Sequence, residues 1–215
     1  MKTPRYLLAT RSEGKLREML RIFSDFDLRV VALSTLGISK SAAEDNLEAF
    51  QTFEENALAK ARYFFEVSEG LPTFADDSGM CVDALKGEPG IFSKRWSGRD
   101  DLSGARLDAA NNKKLVKRIR QAREIQRLNF DDRARYVAVA AFKDAEGESI
   151  ARGEIEGRVL ETPRGQGGFG YDPYFEAPDL GGTFAEATLE KTASTSHRSR
   201  AFRALLSALR AEGRI

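Results

Sequence analysis

Within its first 33 residues the chain changes apolar period twice. Tyr6 to Ala9 is a short apolar run of strand type, and Leu16, Met19, Leu20 and Phe23 then recur at i, i+3, i+4 and i+7, one stripe of a helix. Val30 to Leu33 returns to strand character. Strand side chains alternate between two faces, whereas helical ones share a face every 3.6 residues. Such segments bury their apolar surface by laying helix on sheet. The alternation continues downstream. "TFEENALAKARYFF" (52–65) starts at Thr52 and carries Glu55 three residues later, the pattern of a capping box. Ala57, Leu58, Ala61, Phe64 and Phe65 supply its buried face, while Asn56, Lys60 and Tyr63 form a polar stripe.

Next come a strand from Thr73 to Asp76, a turn at Ser78-Gly79 and a second short strand through Val82. A long polar helix is expected within Leu102 to Gln126. Two strands joined by a turn around Asp144 to Gly147 follow, and a last helix built on Phe202, Leu205, Leu206 and Leu209. Strands and helices that alternate, with some hairpins, predict an α/β fold on a mixed sheet. No repeat or linker divides the 215 residues, so residues 1–215 are read as one domain.

Charge narrows the function. There are 34 basic and 33 acidic residues, a net charge of +1, which gives no global case for nucleic-acid or membrane binding. The basic stretch 111–127 reads as a solvated helix face. The longest apolar run, "YVAVAAF" (136–142), is too short to cross a bilayer, and "MKTPRYLLATRSEGK" lacks the apolar core of a signal peptide. The one cysteine, Cys81, excludes an internal disulfide and a cysteine-rich metal cluster. The expected location is the cytoplasm.

Four short segments bear on chemistry. "TFADDSGM" (73–80) sets Asp76 and Asp77 side by side, and strand alternation sends them to opposite faces. "GQGGFG" (165–170) matches G-x-G-x-x-G literally, but Tyr171-Asp172-Pro173 follows it, and residues before a proline are turned away from helix. A dinucleotide site needs a helix there, so the pattern is a poor sign of one. "TRSEGK" (10–15) joins the first strand to the first helix, where backbone N–H groups and a lysine suit a phosphate, although an ordinary helix start capped by Ser12 reads equally well. "STSHR" (194–198) places the only histidine and an arginine before the last helix. No serine–histidine–aspartate set stands out. Carboxylates with cationic phosphate holders are the equipment of magnesium-assisted phosphate chemistry.

Read in order, "LATRSEGK" (8–15), "TFEENALAKA" (52–61), "ADDSGMCVDALKGEPGIFSKRWSG" (75–98), "PRGQGGFGYDPYF" (163–175), "TFAEAT" (183–188) and "SHRSRAFRAL" (196–205) resemble the inosine triphosphate pyrophosphatase family. The resemblance spans nearly the whole chain. It implies Mg²⁺-dependent hydrolysis of non-standard purine nucleoside triphosphates (ITP, dITP, XTP) to the monophosphate and pyrophosphate. It also implies a homodimer and an elongated mixed sheet with packed helices, two lobes flanking a central active-site cleft.

By the same resemblance Thr10, Arg11, Ser12, Glu13, Gly14 and Lys15 would hold the triphosphate, with Glu55, Asn56, Lys60 and Lys94 along the phosphate path. Asp77 would be the catalytic carboxylate at the metal, with Ser78 beside it, and Asp76 would point away and steady the turn. Phe169, Gly170, Tyr171, Asp172, Lys191, His197 and Arg198 would surround the base and sugar. Ser12 stands where the family usually has asparagine, and Lys191 lies six positions from His197, one more than the family pattern. The stretch "AAEDNLEAFQ" (42–51) is longer than the usual spacer, so the second metal carboxylate is read as Glu44, with Glu48 the alternative. Other readings are a pyrophosphatase for another nucleotide set, a nicotinamide-linked oxidoreductase and a nucleic-acid-binding module.

Overall fold

The computed structural model describes residues 5–215; residues 1–4, counted above in the single domain and the N-terminal segment, lie outside the described residues. Seven strands form one sheet in the order β2-β1-β3-β4-β5-β6-β7, where β1 is Arg5–Leu8, β2 Arg29–Ala32, β3 Thr73–Val82, β4 Arg133–Lys143, β5 Glu148–Val159, β6 Phe175–Ala177 and β7 Gly182–Thr183. β1 runs parallel to β2 and β3, while β6 is antiparallel to both β5 and β7, so the sheet is mixed as expected. The helices are α1 (Glu13–Ser24), α2 (Phe53–Val67), α3 (Gly104–Gln126), α4 (Leu189–Thr195) and α5 (His197–Ala211).

The chain divides into two compact units. The first comprises the chain through Asp77 with Ala138–Gly153 and Ser196–Ile215, and the second comprises Ser78–Val137 and Glu154–Thr195. In the first unit α1 and α5 pack on the sheet through an aromatic core: Phe23 meets Phe74 at 4.8 Å and Phe202 at 5.4 Å, and Phe74 meets Phe142 at 4.5 Å between ring centres. Edge-on rings add specific attraction to their buried area. In the second unit Leu115, Ile119 and Ala122 of α3 close over Met80, Val82, Tyr136, Ile155, Phe175 and Phe184.

Two expectations about local structure need correction. β3 does not stop at a turn: Thr73–Val82 is one strand, and all of it is buried save half-buried Ser78. Gly79, read as a turn residue, is small for another reason, since a Cβ there would collide with the carbonyl of Gly90 and reach 2.5 Å from Ser93 Oγ. The apolar stripe of α1 is also turned from the expected one. Leu20 is 43% exposed, while Glu18, Met19, Ile22 and Phe23 are buried. A buried glutamate on a core face demands partners.

Candidate active site

In the first unit β1 ends at Leu8, and Ser12 caps α1 by accepting a hydrogen bond from the Lys15 amide at 3.4 Å. The Ser12 amide in turn donates to Thr10 Oγ1 at 3.2 Å. The turn therefore presents the first-turn amides of a helix, a natural anion seat, and bends Lys15 back over the sheet. Lys15 Nζ lies 3.0 Å from Asp76 Oδ2.

The same Asp76 oxygen accepts from Arg198 Nε at 3.2 Å, and Arg198 Nη1 pairs with Glu18. Ser196, the cap of α5, accepts from the Ser199 amide at 3.0 Å and donates to Glu18. Glu18, in the second turn of α1, thus ties that helix to the start of α5. Burial alone would push the Asp76 carboxyl up, but the charges of Lys15, Arg198 and Lys60 outweigh it and hold Asp76 far below the usual carboxylate range. Burial draws Lys15 down from its ordinary value. Burial and the adjacent Arg198 charge keep His197 well below the usual imidazole range, so it is neutral at physiological pH.

On the opposite face of β3, Asp77 meets α2. Its Oδ1 accepts from Lys60 Nζ at 3.0 Å and its Oδ2 from Asn56 Nδ2 at 3.1 Å. Lys60 also reaches Glu48 Oε1 at 2.8 Å. The α2 face carrying Asn56 and Lys60, read as a polar stripe, is buried, and these contacts are why it tolerates burial. Burial tends to lower Lys60, but the charges of Asp77, Glu48 and Asp76 prevail and raise it. Burial raises Asp77 above the ordinary aspartate value despite Lys60 and Lys15. Burial and the neighbouring charges thus drive the two adjacent carboxylates in opposite directions, Asp76 down and Asp77 up. The expectation that they occupy opposite faces holds. That Asp76 points away to steady a turn does not, because β3 has no turn there and its Asp76 face meets Lys15 and Arg198.

Glu44 and Glu55 are engaged elsewhere. Both Glu44 oxygens face Arg11, at 2.8 and 3.0 Å, and one also accepts from the Ser41 amide at 3.1 Å. Glu55 is exposed and caps α2: Thr52 Oγ1 accepts from its amide at 3.1 Å and donates to its carboxylate at 2.7 Å. Among the described residues no group of three or more His, Cys, Asp or Glu is arranged to hold a metal ion. Mg²⁺ asks less, since one or two carboxylates with water and substrate phosphate complete its shell. Asp77 and Glu48, both hard oxygen donors converging on the single cation Lys60, fit that demand.

In the second unit the glycine-rich loop is pinned around Asp172. The Asp172 carboxylate accepts from the Phe169 amide at 2.8 Å and from Tyr136 Oη at 3.0 Å. A side chain on Gly168 would strike that carboxylate, so the glycine run serves local packing. A short 3₁₀ turn, Asp172–Tyr174, follows in place of an α-helix, which removes the dinucleotide-site geometry. Gly170 is fixed from both sides, its amide donating to Asp108 at 3.1 Å and its carbonyl accepting from Asn112 at 2.9 Å. Tyr171 Oη donates to the Ser93 carbonyl at 2.8 Å, and burial raises the phenol well above its usual value. Phe169 remains 36% exposed. Lys94 pairs with Asp108 at 3.3 Å, and Lys191 is exposed on α4.

Glu48, the alternative to Glu44, is the one of the two beside Lys60 and Asp77, whereas Glu18, Asp108 and Asn112 were not among the expected site residues. Only Glu18 carried a signal: it shares a helical face with Lys15 and Ile22, at i, i+3 and i+7, where a carboxylate is out of place unless paired.

Residues 6–208 match the Ham1 family. A dITP/XTP pyrophosphatase of Halorhodospira halophila is 45% identical over 209 residues, covering 96% of this chain and 97% of that protein. One from Shigella flexneri is 42% identical over 207 residues, 95% and 97% of the two chains. The structure of a HAM1 protein from Coxiella burnetii superposes with a TM-score of 0.78 at 31% identity, covering 97% of this chain and 99% of the other. With its mixed seven-stranded sheet and nearly complete coverage in each comparison, the chain belongs to the Ham1 family.

Proposed function

We propose that this chain hydrolyses the α–β phosphoanhydride bond of dITP, XTP and ITP, releasing the monophosphate and pyrophosphate. The naming of its full-length relatives supports the substrate class. The observation that carries the chemistry is the Asp77 carboxylate, raised by burial and clasped between Lys60 and Asn56. Asp77 and Glu48 would hold Mg²⁺, with Glu48 taking the place of Glu44, whose oxygens are given to Arg11. When bound, the ion supplies positive charge to phosphate oxygens and lowers the pKa of a coordinated water. Asp77 accepts the proton of the attacking water, and Lys60 and Asn56 keep its two oxygens in fixed orientation. Lys15 and the first-turn amides of α1 hold phosphate oxygens, and Asp76 keeps Lys15 in place. The resemblance further supports base contacts from Phe169–Asp172 and His197, a homodimer and a cytoplasmic location.

A panel of nucleoside triphosphates with Mg²⁺, scored separately for pyrophosphate and orthophosphate, tests the reading. Pyrophosphate with the monophosphate is expected from dITP and XTP, and much less from dATP and GTP. Orthophosphate with a diphosphate as first products would overturn it.

A further inference from the structure

From Ser34 to Thr52 no residue is fully buried, and the apolar Leu36, Ile38 and Leu47 are only half-buried, so the segment that delivers Glu48 has a weak apolar anchor of its own. Its regular structure is two short 3₁₀ helices, Ser34–Leu36 and Ala42–Asn46. Hydrogen bonds from the surrounding elements hold it. Phe50 donates its amide to Asn56 Oδ1 at 3.1 Å, and Ser41 Oγ meets Tyr63 Oη at 2.7 Å. The largest set comes from Arg11. Its Nε and Nη2 grip Glu44 at 3.0 and 2.8 Å, its Nη1 donates to the Ile38 carbonyl at 2.8 Å and its Nη2 to the Ser39 carbonyl at 3.0 Å. The guanidinium also lies 5.7 Å from the Phe64 ring centre. Four of the five guanidinium N–H groups are thereby directed into residues 38–44, leaving no fork for phosphate. Glu44 lies four residues before Glu48, and Leu47 donates its amide to the Glu44 carbonyl at 3.1 Å, so fixing Glu44 fixes the approach of Glu48 to Lys60.

We infer that Arg11 is a positioning residue: through Glu44 it straps the 38–48 segment to the α1 turn and so sets Glu48 beside Lys60 and Asp77. This rests on the reading of Glu48 and Asp77 as the metal-side carboxylates. A partner shell of this kind changes metal affinity by about 10- to 100-fold when removed.

The test compares wild type with Arg11→Ala, Arg11→Lys and Glu44→Gln. Lys40 is the only Lys or Arg between residues 30 and 59 and its side chain is 68% exposed, so tryptic nicking after Lys40 reports the strap without reference to activity. Mg²⁺ alone, titrated by calorimetry without nucleotide, reports the carboxylates. Arg11→Ala is expected to nick faster and bind Mg²⁺ about 10-fold more weakly or worse, with Glu44→Gln following it and Arg11→Lys between. Binding of dITP in EDTA is expected to change less than twofold. Unaltered nicking in both Arg11→Ala and Glu44→Gln would overturn the strap. Faster nicking with wild-type Mg²⁺ affinity would overturn its link to Glu48. Weakened dITP binding in EDTA with unaltered nicking would return Arg11 to the triphosphate. Absence of pyrophosphate release by wild type would instead remove the proposed reaction and leave the nicking result standing.

Discussion

Lys15 Nζ and Asp76 Oδ2 stand 3.0 Å apart, and Arg198 Nε reaches the same oxygen at 3.2 Å. One buried carboxylate thus serves the first turns of α1 and α5 together. Removing one member of a buried pair leaves the others charged and unsolvated, and this costs about 3–5 kcal/mol. Asp76→Asn should therefore lower stability by that order at neutral pH, measured by urea unfolding. The held-down Asp76 carboxyl contributes stability above the unfolded-state value of about 3.9, and that contribution is lost as pH falls toward the folded value. The deficit of Asp76→Asn should accordingly shrink in acid. A deficit constant from pH 7 to pH 2 would contradict the pairing.

Asp77 has the opposite sign. Its carboxyl is raised in the folded state, so the stability it lends is complete below the unfolded value and fades as pH rises through the folded one. Asp77→Asn should cost clearly less stability at neutral pH than Asp76→Asn, because Lys60 keeps Glu48, while turnover falls by on the order of 10³-fold or more. Equal loss of stability in the two asparagine variants would show that the two carboxylates do not have separate roles.

Arg198 is bound to Glu18 and Asp76 at 2% side-chain exposure, which leaves it a poor reader of the base. Arg198→Ala should destabilise the protein and lower kcat/KM for dITP and dATP in the same proportion. A shrinking dITP preference would assign it to base recognition after all.

Phe169 keeps 36% of its surface exposed on a backbone fixed by Asp172, Asp108 and Asn112. Stacking on a base contributes about 1–3 kcal/mol and tolerates base identity. Phe169→Ala should raise KM for dITP and dATP alike, by roughly 10-fold, with kcat much less affected. Unchanged KM for both nucleotides would remove the ring from the site.

Periodicity carried much of the fold because helix and strand repeats are local properties. The apolar face of α5 came through whole, with Phe202, Leu205, Leu206 and Leu209 all buried. So did the β4–β5 hairpin, whose turn is tied by Asp144 accepting from the amides of Glu146 and Gly147, both at 2.9 Å. Composition misled at Ser78-Gly79, where a small residue suited to a turn was required by the nearby Gly90 and Ser93 within a continuous strand.

The ordered motifs by themselves determined the family, the α/β class and the opposite facing of Asp76 and Asp77, all properties of near neighbours in sequence or of motif order. Which charge meets which was decided only in three dimensions. Asp76 takes Arg198 from 122 residues away, and Arg11 takes Glu44 from 33, leaving Glu48 to Lys60. A carboxylate's role depends on the burial and cations that tertiary packing brings to it, and neither has a period to be read along the chain.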